Sequence, residues 1–183
     1  MDIMVKVYLV IHLKKENLKV KKKIRIWILE YEGEYLNGKR NGKGKEYFCG
    51  QLKFEGEYLN GKRNGKGKEY YNGELYFEGE YLNGKRNGKG KEYDYNGELE
   101  FEGEFLNGER NGKGKEYYDN GKLKYEGKYS YGERNGKGKE YDNDGNLIFE
   151  GEYLNGEKKD KKSIWRWIFK WKKKWERKRI CKW

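Results

Sequence analysis

Carboxylates two residues apart recur along the chain as Glu32/Glu34, Glu55/Glu57, Glu78/Glu80 and Glu102/Glu104, a residue type that serves in acid/base catalysis. Catalysis needs a singular site, and near-identical copies do not make one. On an exposed strand facing lysine across a hairpin, such carboxylates form ordinary cross-strand ion pairs of roughly 0.2 to 1 kcal/mol each. The Asn-Gly-Lys-Gly-Lys runs share only their glycines with a phosphate loop, which must sit between a strand and a helix N-terminus. No helix pattern follows them here. His12 is the only histidine and lies among apolar residues, and no Ser, Cys or Asp stands beside a group that would activate it. Cys49 and Cys181 have neither metal nor disulfide spacing, which favours a reducing compartment. The expectation is therefore no catalytic residue, no cofactor and no metal.

These residues are positioned by one phrase, FEGEYLNGKRNGKGKEYYNGELY, which occupies residues 54 to 76 and recurs about five and a half times. Copies begin at Tyr31, Phe54, Phe77, Phe101, Tyr125 and Phe149, with steps of 23, 23, 24, 24 and 24 residues, and the last stops near Glu157. Such regularity means one supersecondary unit stacked in a row, each burying its apolar side only against its neighbours. Within a copy, Leu75, Phe77, Gly79 and Tyr81 share one parity and Tyr76, Glu78, Glu80 and Leu82 the other. A strand here puts rings on one face and carboxylates on the opposite face. Asn83-Gly84 signals a tight hairpin turn, because a type I′ turn needs positive φ at both central residues. A two-residue loop there sets Phe77 opposite Gly90, Gly79 opposite Gly88 and Glu78 opposite Lys89. Asn87-Gly88 offers a second turn and a longer loop. The extra residue of the longer copies falls in the turn around Asn96-Gly97, where it leaves strand parity unchanged.

Phe54, Phe77, Phe101 and Tyr125 recur at one ring position, and Tyr58, Tyr81, Phe105 and Tyr129 at another. Together they form a stripe along one face, either consumed as core between repeats or half open as a groove for a partner or a second copy.

The net charge of +12 and mean hydropathy of −1.35 divide unevenly along the chain. Residues 1 to 30 carry +5, residues 158 to 183 carry +11, and the repeats between them carry −4. Nucleic acid is thus an unfavoured partner for the array. Two alternating segments within residues 1 to 30 suit a cap hairpin over the first edge strand. The apolar run at residues 7 to 13 lacks the flanks and cleavage site of a signal peptide.

Residues 158 to 183 hold five of the six tryptophans. Read as a helix, they align Ile164, Ile168, Trp171 and Trp175 among Lys and Arg, and Trp165, Ile168, Trp171, Trp175, Lys172 and Lys173 become candidate contacts to an anionic membrane. A competing origin is a shifted reading frame. A/T-rich codons for residues 164 to 183, read one base later, encode FGDGYLNGKRNGKGKEYVNG, which matches residues 54 to 73 at 16 of 20 positions. The tail is expected to be a further repeat read out of frame.

The pattern YEGEYLNGKRNGKGKEY at residues 31 to 47, with its copies through residue 157, closely resembles the MORN repeat (membrane occupation and recognition nexus). Residues 120 to 145 also resemble the MORN variant of bacterial YwqK-type antitoxin-like proteins. The resemblance implies an all-β, elongated single-layer antiparallel sheet of stacked β-hairpins. It also implies scaffolding, self-association or protein partners, and in some members contact with membrane phospholipid. A non-enzymatic cytoplasmic module, peripheral to a membrane in one version, is the expected function; an antitoxin-like protein is the alternative.

Overall fold

The computed structural model describes residues 30 to 159, which form one antiparallel sheet of twelve strands ordered in space as they are in the chain. The strands are β1 (Tyr31–Leu36), β2 (Lys39–Phe48), β3 (Gln51–Leu59), β4 (Lys62–Tyr71), β5 (Glu74–Leu82), β6 (Lys85–Tyr93), β7 (Leu99–Leu106), β8 (Glu109–Tyr117), β9 (Leu123–Ser130), β10 (Glu133–Tyr141), β11 (Leu147–Leu154) and β12 (Glu157–Lys158). The fold class is all-β, as the repeat pattern implies. The expected N-terminal cap hairpin and the candidate membrane residues Trp165, Ile168, Trp171, Trp175, Lys172 and Lys173 lie outside the described residues.

Each copy contributes two hairpin turns of different chemistry. Asn83 (φ 53°) and Gly84 (φ 88°) close the two-residue loop between Leu82 and Lys85, the left-handed pair that a type I′ turn requires. The turn at the other sheet edge is Asn72-Gly73 between β4 and β5 and lengthens to Tyr95-Asn96-Gly97 between β6 and β7. There the Asp94 carboxylate accepts the backbone N–H groups of Asn96 and Glu98, both at 2.8 Å, and so rigidifies the longer loop. The added residue leaves Gly90 opposite Gly103, just as Gly67 faces Gly79 after the shorter turn.

The register within a hairpin differs from the simple two-residue closure. Leu82 pairs with Lys85 and Tyr81 with Arg86, but Gly79 then pairs with Gly90, Glu78 with Lys91 and Phe77 with Glu92. Between these pairs Glu80 alone faces Asn87, Gly88 and Lys89, so β6 carries two extra residues. Gly88, at φ 97°, lets the backbone buckle there, as Gly65 and Gly112 do in their copies. Because the insertion is two residues, ring and charge faces are preserved.

That shift aligns one glycine per strand into an unbroken row from Gly33 on β1 to Gly151 on β11. The rings of Phe54, Phe77, Phe101 and Tyr125 lie across this row, each over the glycine of its own strand and that of the next. Aromatic side chains drape over bare backbone because no Cβ holds them away. Successive copies interlock through edge-to-face rings, with Phe54–Tyr81, Phe77–Phe105, Phe101–Tyr129 and Tyr125–Tyr153 centroids 5.1 to 5.2 Å apart. Each such pair contributes about 0.5 to 1.5 kcal/mol beyond its buried area. Gly84 N–H also donates to the Arg63 carbonyl at 2.8 Å, tying one hairpin tip to the hairpin before it.

Candidate interaction surface

The ring face is closed. Phe54, Phe77, Phe101 and Tyr125 are fully buried, and Tyr58, Tyr81, Phe105 and Tyr129 are 4% exposed. The aromatic stripe is therefore the core and not a half-open groove, which corrects that alternative. The physical reason is a lid of arginines that the sequence pattern did not reveal. The guanidinium carbons of Arg63, Arg86, Arg110 and Arg134 stand 4.0 to 4.3 Å from the ring centroids of Phe54, Phe77, Phe101 and Tyr125. Cation–π attraction of this kind is worth about 1 kcal/mol, more where water is excluded.

Glutamates bridge the arginines into a ladder that runs unbroken from Arg40 to Arg110 and resumes with Glu116 and Arg134. Glu46 accepts from Arg40 at 2.9 Å and Arg63 at 2.7 Å, and Glu92 from Arg86 at 2.7 Å and Arg110 at 2.6 Å. Tyr81 and Tyr129 hydroxyls donate to Glu69 at 2.8 Å and Glu116 at 2.6 Å. Among the described residues, the Tyr58 hydroxyl oxygen is the buried side-chain polar atom left without a hydrogen bond, although Glu46 lies beside it. Burial alone would raise the Glu69 carboxyl, but the Arg86 hydrogen bond and charge, the Tyr81 hydroxyl and Arg63 together hold it below its ordinary value. Glu116 is held low in the same way by Arg134, Tyr129 and Arg110 against the effect of burial. Burial pushes the Tyr125 hydroxyl up to about 12.

These shifts fix the sign of an acid response. A carboxyl lowered in the folded state contributes stability that is fully present above its unfolded value of 4.5 and is lost as pH falls through the folded value. The melting temperature is thus expected to drop as pH falls below about 5. Circular dichroism melts across that range should show a shallower drop for Glu69→Gln, which removes one titrating member of the ladder.

The opposite face is open. Above the glycine row runs a groove of about 1480 Å³ floored by Gly44, Gly56, Gly67, Gly79, Gly90, Gly103, Gly114, Gly127, Gly138 and Gly151. One wall alternates in charge strand by strand through Glu32, Lys45, Glu55, Lys68, Glu78, Lys91, Glu102, Lys115, Glu126, Lys139 and Glu150. The pairs are loose, as at Lys68–Glu78 with 3.8 Å, and leave the charges available to a partner. Tyr70, Tyr93 and Tyr141 flank this wall and donate to Glu55, Glu78 and Glu126 at 2.6, 2.7 and 3.0 Å. The other wall pairs Lys43 with Glu57, Lys66 with Glu80 and Lys89 with Glu104.

Beyond the second wall, Leu36, Leu59, Leu82, Leu106 and Leu154 form a row of largely exposed apolar side chains, one on every hairpin but the fifth. Sequence reasoning missed this row, although its signal was present: a leucine recurring just before each Asn-Gly turn on the carboxylate parity. Among the described residues, no cluster of His, Cys, Asp and Glu could hold a metal ion.

The described residues thus form an open, one-layer sheet of hairpin repeats with a closed aromatic face and a long, charge-walled groove. The MORN repeat family model matches residues 31–51, 54–74, 77–98, 101–122 and 125–147, and the chain belongs to the MORN-repeat family. MORN repeats are non-enzymatic modules that generally serve as scaffolds or interaction surfaces. Comparison with curated proteins found no match.

Proposed function

We propose that this chain is a non-enzymatic scaffold that binds a segment of a protein partner along its glycine-floored groove. The observation that carries this reading is the asymmetry of the two faces. Rings, arginines and glutamates are satisfied within one face, whereas the other offers a continuous trough with alternating charges and a leucine row. Ten strand spacings separate Gly33 from Gly151 along the row, a span of ~48 Å. A partner helix of about 30 residues fits that length. Partner leucine or aromatic side chains would meet the leucine row, and charged ones the alternating walls, which sets register along the trough.

The test is affinity capture with the wild-type chain and with a Lys66→Glu/Lys89→Glu variant. Both lysines are exposed, and because each reversal sets glutamate opposite Glu80 or Glu104 the fold should survive at a cost of about 1 to 2 kcal/mol. The expected result is a partner held by the wild type and weakened at least tenfold by the variant. Equal retention by both would overturn the groove as the binding surface.

A further inference from the structure

The groove is not uniform: its second wall breaks its own rule in the fifth copy. Elsewhere this wall sets lysine against glutamate, but there Lys113 faces Lys128 directly, with Lys137 on the next strand. The three lysines make no ion pair within 4.0 Å among the described residues. Glu104 and Glu152 flank the run at either end.

The replaced glutamate has a specific job in two of the other copies. The Glu34 carboxylate accepts the backbone N–H of Lys43 at 3.1 Å, and the Glu104 carboxylate accepts that of Lys113 at 3.2 Å. Both amides follow the positive-φ glycine of the two-residue bulge, Gly42 or Gly112, and the carboxylate sits over that glycine. Glu57 and Glu80 lie over Gly65 and Gly88 in the same manner. Four copies therefore carry a carboxylate at the bulge. In the fifth, Gly136 has the same left-handed backbone at φ 82°, but the side chain over it is Lys128, with Cδ 3.6 Å from where a Cβ would stand. An ammonium group cannot accept the Lys137 N–H, so the bulge keeps its donor and loses its built-in acceptor. Ser130 also replaces leucine in this copy, opening a polar gap in the apolar row.

We infer that the fifth copy is an acceptor site for a carboxylate supplied by the partner: an acidic side chain seats on the Lys137 backbone N–H between the ammonium groups of Lys113, Lys128 and Lys137. This rests on the groove being the partner surface and adds polarity to it, because one position out of five demands negative charge from the occupant. Backbone N–H groups beside a left-handed residue, reinforced by lysines, are an established way to hold an anion.

The test follows amide resonances of the isotope-labelled chain during titration with hexaglutamate at low salt, with inorganic phosphate as a second probe. Lys128→Glu is the control, and it restores the sequence of the other copies, so folding is retained. The inference expects the Lys137 amide to shift and saturate with hexaglutamate, the Lys43, Lys66 and Lys89 amides to stay in place, and Lys128→Glu to weaken the effect at least tenfold. It is overturned by equal shifts at all bulges or by a Lys128→Glu chain that responds like the wild type. It is also overturned if phosphate saturates the site at lower concentration than hexaglutamate, since the site would then serve phosphate rather than an acidic protein segment. Failure here with a captured partner still dependent on Lys66 and Lys89 would leave the groove function standing and remove only its polarity.

Discussion

Replacing Gly79 with valine is expected to destabilise the chain by about 3 kcal/mol, the upper end of the usual cost of overpacking. A Cβ at this position would stand 2.7 Å from the Gly90 Cα, the Lys89 carbonyl oxygen and the Phe77 Cζ. Two of those atoms are backbone in the paired strand, so they can retreat only by breaking the ladder between β5 and β6. The third belongs to a fully buried ring held by Tyr81, Phe105 and Arg86. Gly97 provides the contrast: nothing lies within 4 Å of its Cβ position, and alanine there meets only the left-handed backbone at φ 80°, a cost of about 1 to 2 kcal/mol. Chemical denaturation of both variants measures the difference. A valine at residue 79 that costs no more than alanine at residue 97 would contradict the close packing of the glycine row.

Truncating a ring in the middle of the array should be at least as damaging. Phe101→Ala is expected to cost about 3 to 5 kcal/mol, the range for a buried phenylalanine. The ring is fully buried, covers Gly103 and Gly114, meets Phe105 and Tyr129 edge to face, and supports Arg110 at 4.3 Å. Because each unit touches only its neighbours, the loss should uncouple the strands before β7 from those after β8. Thermal unfolding is then expected to split into two transitions. Tyr31→Ala, at the first described strand, should fray one end and leave a single main transition. A single cooperative melt in Phe101→Ala, shifted no more than in Tyr31→Ala, would contradict the linear coupling of repeats.

Much of this architecture was legible in the chain. The period, the Asn83-Gly84 turn and the split between ring and charge faces follow from local rules that no tertiary contact overrides. The pairing of Phe77 was misplaced because two residues bulge out at Gly88, and an insertion that preserves parity leaves no trace in hydrophobic alternation. The open-or-closed question for the aromatic stripe turned on Arg63, Arg86, Arg110 and Arg134. Those residues sit in Lys-Arg-Asn-Gly or Glu-Arg-Asn-Gly runs that read as turn, and only the register brings them over Phe54, Phe77, Phe101 and Tyr125. One clue was available: Glu69, Glu92 and Glu116 fall on ring parity, and charges recurring there require recurring counter-charges. The groove floor was invisible for a simpler reason, since a glycine gives no side chain from which to read a face.

Site-specific photo-crosslinking distinguishes a partner lying in the groove from one held at the hairpin edge. A photoreactive residue in place of Lys89 stands on the groove wall, while one in place of Tyr131, an 83% exposed hairpin tip, stands away from it. The groove reading predicts efficient crosslinks to the captured partner from residue 89 and few from residue 131. Crosslinks from residue 131 with none from residue 89 would contradict it and move the binding surface to the hairpin edge.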